Sequence, residues 1–308
     1  MERRDFIKSA TVLTGLVAVP GIGAATNLAG KFKDASVRKL KKSLGYGMIK
    51  VDMSLIDKFK MIKDIGFDGI EFNSPLDVSI DELLKVKEKT GLELPSTVNK
   101  DHWTKPLSHP DKEIRQACID SVTKSLEDTK ALGGDTVLVV PGVVNETVSY
   151  EQAYNTALDS IRMLIPAVEK TGVKIGLENV WNNFLLSPVE AKRFVDDINH
   201  PLIGWYFDIG NVLRYGWPEQ WIATLKHRIF KLHLKEFSRE IMNTKGLREG
   251  FNVDLMQGDN NWPVVMKAVA NMGYSGGWIT AEVGGGDRTH LEKISKQMDT
   301  IISYLPQS

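Results

Sequence analysis

The sequence predicts an α/β protein whose main body is a single (β/α)8 TIM barrel, preceded by an N-terminal segment of different character. Three observations carry that expectation. From about residue 43 onward, short β-rich runs alternate eight times with helical patterns. No stretch rich in Pro, Gly or Ser breaks the alternation, so nothing splits residues 43–308 into two domains. The turn after the first strand reads GMIKVDMS, where an open dinucleotide-binding sheet would place GxGxxG.

The elements follow in order. The first strand, SLGYGMIKV (43–51), leads into SLIDKFKMIKDIG, which opens on Ser54 as an N-cap and closes on Gly66. The second, GIEFN (69–73), precedes SIDELLKVKEKTG, again opened by Ser79 and closed by Gly91. The third, LELPSTV (92–98), leads to SHPDKEIRQACIDSVTKSLEDTKALGG, and the fourth, DTVLVVPG (135–142), to YEQAYNTALDSIRMLIPAVEKTG, read as one helical pattern over 150–172. The fifth, KIGLENV (174–180), precedes SPVEAKRFVDDI, with Ser187 and Pro188 in cap and first-turn positions; the sixth, LIGWYFDIG (202–210), precedes PEQWIATLKH. The seventh, RIFKLHLKEF (228–237), is followed by WPVVMKAVANMG, and the eighth, GGWITAEV (276–283), by THLEKISKQMDTIISYL. The glycine cluster in EVGGGDRTH suits a tight loop better than a phosphate seat.

Residues 1–30 obey other rules. Arg3 and Arg4 are followed by Phe6, Ile7 and Lys8, then by an uncharged apolar stretch from Ala10 to Ala25 and a small, polar end. This resembles a twin-arginine export signal, which implies export by that route and periplasmic residence, with residues 31–42 as a linker. The apolar stretch is too short for a bilayer and contains Pro20, which argues against permanent membrane insertion. Thirty-nine basic residues balance 39 acidic ones, so nucleic acid is not an expected partner. The one cysteine, Cys118, excludes an intrachain disulfide, and its spacing with Ile114, Ala117 and Val122 makes it a core residue.

In a closed parallel barrel the chemistry sits at the C-terminal ends of the strands. Ionisable residues late in apolar runs therefore point to a site: Glu178 in GLENVWN, Asp208 in WYFDIGN, His233 in FKLHLKEF and Glu282 in ITAEVGG. Three carboxylates and an imidazole converging on one rim would repel each other without a cation. The expected cofactor is one divalent metal ion; oxygen-rich ligation favours Mn or Mg, and the single imidazole keeps Zn and Co open. Lys235 shares the inward side of its strand with His233 and is placed to hold an oxyanion. Asn179, Trp181, Asn183, His102, Trp103 and Asp259 are candidates for the walls of the site, the tryptophans for stacking.

From about residue 43 to the end, the chain resembles the xylose-isomerase-like barrel superfamily of sugar phosphate isomerases and epimerases. The residues that carry the resemblance are LENVWNNFLLSP, GWYFDIGNVLRYGWPEQW, FKLHLKEF, QGDNNWP and ITAEV, with PLSHPDKEIR and VLVVPGVVN upstream. The resemblance implies that Glu178, Asp208, His233 and Glu282 bind the metal, and that Arg239 contacts substrate. It also marks a departure: where many relatives carry a second histidine three residues after the aspartate, this chain has Asn211.

The implied activity is that of a divalent-metal-dependent sugar isomerase or epimerase working by proton transfer through a metal-stabilised enediolate, with Glu178 and Glu282 as catalytic proton carriers. A second reading is a lyase or hydratase on 3-keto-glycosides, and a third is a non-catalytic sugar-binding protein. The expected partner is a small-molecule sugar or sugar derivative, and a homo-oligomer is compatible with all three readings.

Overall fold

The computed structural model describes residues 40–274 and 276–306. The expected export signal (1–30) and all but the last three residues of the expected linker lie outside the described residues. Eight parallel strands close on themselves in sequence order, β1 to β8, so the TIM barrel read from the sequence is the observed architecture. The strands are β1 (Lys41–Gly45), β2 (Gly69–Ser74), β3 (Ser96–Asn99), β4 (Thr136–Val139), β5 (Lys174–Glu178), β6 (Ile203–Asp208), β7 (Ile229–Leu234) and β8 (Trp278–Ala281). The helices are α1 (Leu55–Asp64), α2 (Ile80–Thr90), α3 (Lys112–Leu132), α4 (Tyr150–Arg162), α5 (Ile165–Thr171), α6 (Pro188–Ile198), α7 (Pro218–Leu225), α8 (Arg239–Lys245), α9 (Trp262–Asn271) and α10 (Arg288–Ser303). Among the described residues, no helix is long and apolar enough to cross a membrane.

Several boundaries differ from the sequence reading, each for a local reason. β1 begins at Lys41 and ends at Gly45, where the chain enters a 3-10 turn, Tyr46–Met48, that stacks Tyr46 on Phe72 at 4.4 Å. β3 starts only after Pro95, which has no N–H to give a ladder. The long pattern over 150–172 is two helices, because Pro166 near the start of α5 has no N–H to continue α4. The stretch between β7 and α9 contains α8 and a 3-10 turn, Arg248–Phe251, that the periodicity did not reveal. Caps are as read: Ser54, Ser79 and Ser187 accept from backbone N–H groups, and Gly91, Gly133 and Gly172 end their helices in the left-handed region. The glycine tract after β8 is a tight turn: Gly286 N–H donates to Met48 C=O, and a Cβ on Gly285 would lie 2.3 Å from that same oxygen.

Strand alternation divides the side chains into two sets. Outward residues such as Leu44, Ile70, Val137, Ile175, Leu177, Trp205, Phe207, Leu232 and Ile279 are buried beneath the helices, against Leu83, Val122, Phe194, Trp221, Val265 and Met298 among others. Cys118 belongs to this layer; burial pushes its thiol up to about 12. Much of the inward set is polar: Ser43 bonds Thr280 at 2.7 Å, Ser96 and Tyr206 bond Glu71, and the Tyr206 hydroxyl lies 3.3 Å from those of Ser96 and Thr280. The hydrophobic stability of this barrel therefore resides mainly between sheet and helices, which leaves the bore free for chemistry.

Two outcomes check this layout. Gly204→Ala would place a Cβ 2.5 Å from the Arg228 carbonyl oxygen, whereas Gly47 has nothing within 4 Å of a Cβ. Denaturant unfolding should show the first variant destabilised by about 1–3 kcal/mol and the second within about 0.5 kcal/mol of wild type. The Cys118 thiol should resist an aromatic disulfide reagent until the chain is unfolded; fast labelling of the native protein would contradict its burial.

Candidate metal centre

The site grows out of the last four strands. Glu178 is the final residue of β5, Asp208 the final residue of β6, His233 lies one residue before the end of β7, and Glu282 follows β8 directly. The β6–β7 register sets Asp208 opposite His233, and the β7–β8 register sets His233 opposite Thr280, two residues before Glu282 on the same face. One donor atom from each of these four residues lies within 4.8 Å of every other. Ligands about 2.2 Å from a common ion stand up to about 4.4 Å apart, so the four donors could hold one cation after a shift of a few tenths of an ångström.

The electrostatics favour the same conclusion. Asp208 is fully buried, and its Oδ2 makes no directed hydrogen bond although the Lys235 ammonium is 2.9 Å away. Lys235 also lies 3.0 Å from Glu282 Oε2. His233 Nδ1 is 3.1 Å from both Glu178 Oε1 and Glu282 Oε2. An underbonded buried carboxylate oxygen, two further carboxylates and one imidazole nitrogen fit a divalent ion with three oxygen donors and one nitrogen donor.

With only the protein's own charges acting, the two glutamates are driven apart. Burial and then the Glu282 charge raise Glu178 to about 7, against the hydrogen bond from His233. Burial also works against ionisation of Glu282, but the Lys235 ammonium and His233 outweigh it and hold that carboxyl well below its usual range. Glu282 is also 47% exposed, so solvent reaches it from the mouth and screening moderates the effect. Burial lowers the affinity of His233 for a proton, yet Tyr206, Glu71 and Glu282 raise it well above the ordinary imidazole value.

The other expected residues divide into those at the cluster and those serving the loops around it. Lys235 is at the cluster. Asn211 adjoins it: its backbone N–H donates to Asp208 Oδ1 at 2.7 Å, and its Oδ1 accepts from Lys235 at 3.3 Å. Asn179 clips β5 to β6, donating to Asp208 C=O and accepting from Trp205 Nε1 and Asp208 N. Trp181 donates to Asn211 C=O and packs 4.8 Å from Phe251 and 5.5 Å from Phe237, with Arg214 over its ring. Burial pushes His102 down to about 4, so the ring is neutral; its Nδ1 accepts from Val140 N–H, and Trp103 stands edge-on to it, half exposed.

Arg239 and Asp259 make no hydrogen bond or ion pair with the cluster among the described residues. The Arg239 guanidinium donates to the carbonyls of Leu213 and Gly216 and covers Trp217, while exposed Asp259 accepts from Arg239 N–H at the start of α8. Their contacts are those of loop braces. Asn183 donates to Val144 C=O at the surface. The sequence reading missed Glu71, a buried carboxylate of β2 that lies 2.9 Å from His233 Nε2. The signal was present: an acid in the middle of the apolar run GIEFN, the same oddity that singled out Glu178.

A divalent ion entering this cluster must displace protons from Glu178 and His233, because both hold them more tightly than ordinary groups of their kind. Adding Mn²⁺ to chelator-treated protein at pH 7 in weak buffer should release protons, and the apparent affinity should climb as pH rises through neutrality. A pH-independent affinity would contradict the arrangement.

The chain matches the model of the xylose isomerase-like TIM barrel family over residues 59–304. Among curated proteins it is 22% identical, over 80% of this chain and 81% of the relative, to an uncharacterised protein of Methanocaldococcus jannaschii. It is 28% identical, over 52% of this chain and 67% of the relative, to the 2-oxo-tetronate isomerase of Haemophilus influenzae. Among solved structures, a 3-keto-D-glucoside 4-epimerase from E. coli superposes with a TM-score of 0.72 at 17% identity, covering 86% of this chain and 100% of that one. A D-psicose 3-epimerase gives 0.71 at 16% identity, covering 86% and 99%. The IolI protein with a bound zinc atom gives 0.69 at 18% identity, covering 87% and 100%. At such identities the superpositions establish the shared barrel, whereas the family model covers most of the sequence: this chain belongs to the xylose isomerase-like TIM barrel family.

Proposed function

We propose that this protein is a divalent-metal-dependent sugar isomerase or epimerase that moves a proton at a carbon next to a carbonyl. The observation that carries the reading is the convergence of Glu178, Asp208, His233 and Glu282 within 4.8 Å at the strand ends. Relatives and neighbours that are sugar isomerases and epimerases support it. When bound, the cation would polarise the sugar carbonyl and stabilise the negative charge that develops as the neighbouring C–H loses its proton. The donor set suits Mn²⁺ or Mg²⁺, with Zn²⁺ and Co²⁺ as alternatives.

The protein's part is to take, hold and return the proton. Glu178 ends β5 and Glu282 follows β8, on either side of the β7 strand that carries His233; in this reading a sugar bound at the cluster meets one carboxylate from each direction. Their proton affinities differ, with Glu178 near neutrality and Glu282 well below, the condition under which one accepts while the other donates. Return of the proton to the opposite face inverts the carbon; return to the adjacent carbon isomerises. Lys235, beside Asp208 and Glu282, is placed to neutralise a developing oxyanion. Trp181, Phe237 and Phe251 form an aromatic wall near it that limits water.

The Lys235 ammonium also favours a second reading. After C–H proton loss beside a 3-keto group, cleavage of a β C–O bond leaves an alkoxide, and Lys235 could donate the proton it needs. The protein would then be a lyase acting on 3-keto-glycosides. Export by the twin-arginine route, which would place the enzyme among extracellular glycosides, is part of this proposal.

Proton exchange separates the readings. With Mn²⁺ in D₂O, the wild type should introduce deuterium at the carbon next to the carbonyl of its sugar, as read by NMR across free, phosphorylated and 3-keto sugars. Aglycone release from a 3-keto-glycoside would select the lyase. Glu178→Gln and Glu282→Gln should each reduce exchange by about 10²–10⁴-fold. Melting shifts with sugar but no exchange in the wild type would leave a binding protein.

A further inference from the structure

The cluster has a buried companion on the far side of its histidine. Glu71 comes from β2, across the bore from the four strands that supply the metal donors, and only 3% of it is exposed. Its Oε1 lies 2.9 Å from His233 Nε2, while its Oε2 accepts from Tyr206 OH at 2.6 Å and from Ser96 OH at 2.5 Å. Tyr206 OH lies 3.3 Å from the Thr280 hydroxyl, which bonds Ser43 at 2.7 Å. The imidazole is thus held between two sets of carboxylates: Glu71 at one ring nitrogen, Glu178 and Glu282 at the other, 3.1 Å away.

An ionised carboxylate can only accept, so the Nε2 facing Glu71 must carry hydrogen. The neutral ring then presents its lone pair from Nδ1, the nitrogen that faces the other donors. Two hydroxyl donors on Oε2 prevent the Glu71 carboxylate from turning away, and the Tyr206 ring packs 4.4 Å from the imidazole, so the ring cannot flip without breaking this set. We infer that Glu71 is the positioning residue of the metal centre: it fixes the Nε2–H tautomer and orientation of His233 and strengthens Nδ1 as a cation donor. The inference rests on the metal-centre reading above and extends it to a residue outside the donor set. A carboxylate hydrogen-bonded to a ligating imidazole typically changes metal affinity by about 10–100-fold.

The experiment measures Mn²⁺ and Co²⁺ affinity by chelator competition, together with the Co²⁺ d–d absorption spectrum, for wild type, Glu71→Gln, Glu71→Leu, His233→Ala and the Glu71→Gln/His233→Ala pair. Glu71→Gln is isosteric and keeps an acceptor toward Nε2–H, so it carries the test even if Glu71→Leu fails to fold; circular dichroism and melting verify the fold. Glu71→Gln should weaken both metals by about 10–100-fold and shift the cobalt spectrum. In the His233→Ala background, the same change should cost no further affinity, because its effect passes through the imidazole. Wild-type affinity and spectrum in folded Glu71→Gln, or an equal loss with and without His233, would overturn the role of Glu71. Unchanged affinity in His233→Ala would instead overturn the metal-centre reading itself.

Discussion

The bore of this barrel holds four carboxylates around one imidazole. Glu71, Glu178 and Asp208 are buried, Glu282 closes the set from the mouth, and His233 touches three of them. Ionised groups in so confined a space are strongly unfavourable unless compensated, since both desolvation and mutual repulsion oppose them. Lys235 compensates part of that charge at Asp208 and Glu282. A divalent ion would compensate the rest, and much else in the structure is arranged around that requirement.

The barrel meets this demand by moving its hydrophobic stabilisation outward. Large apolar side chains from alternate strand positions pack beneath the helices, as Phe207 does on Trp221, while the inward positions carry Ser43, Glu71, Ser96, Tyr206, His233 and Thr280. Each of these six groups finds a partner on a neighbouring or facing strand, whereas Asp208 Oδ2 at the strand ends is left without a directed hydrogen bond. The same network fixes side-chain directions at the strand ends. Loops finish the site: Asn179 and Asn211 tie the ends of β5 and β6 together, Arg239 braces the stretch after β6, and Glu236 accepts from Met256, Asn260 and Trp262 to hold the segment before α9.

The division of charge between Glu178 and Glu282 joins stability to chemistry. Neither residue differs in kind from the other; burial beside a second carboxylate raises one, and contact with Lys235 and His233 lowers the other. The proposed proton transfer would need such asymmetry, which here comes from position within a single cluster.

Much of this was legible in the sequence. Strand and helix alternation, serine and glycine caps and the absence of a dinucleotide turn determined the barrel, because hydrophobic period and cap chemistry are local properties of the chain. Glu178, Asp208, His233 and Glu282 were legible for a related reason: an ionisable group late in a buried strand is costly anywhere unless it meets a partner. The partnerships were decided only by closure of the barrel. Glu71 stands 162 residues from His233 in sequence and meets it through the bore. The resemblance makes Arg239 a substrate contact and the sequence reading makes Asp259 a wall residue; that Arg239 donates to the Leu213 and Gly216 carbonyls and Asp259 accepts from Arg239 N–H was set by the path of the loops. The chain announces which groups are anomalous through its local pattern; which of them touch depends on register and loop course, interactions between segments distant in sequence.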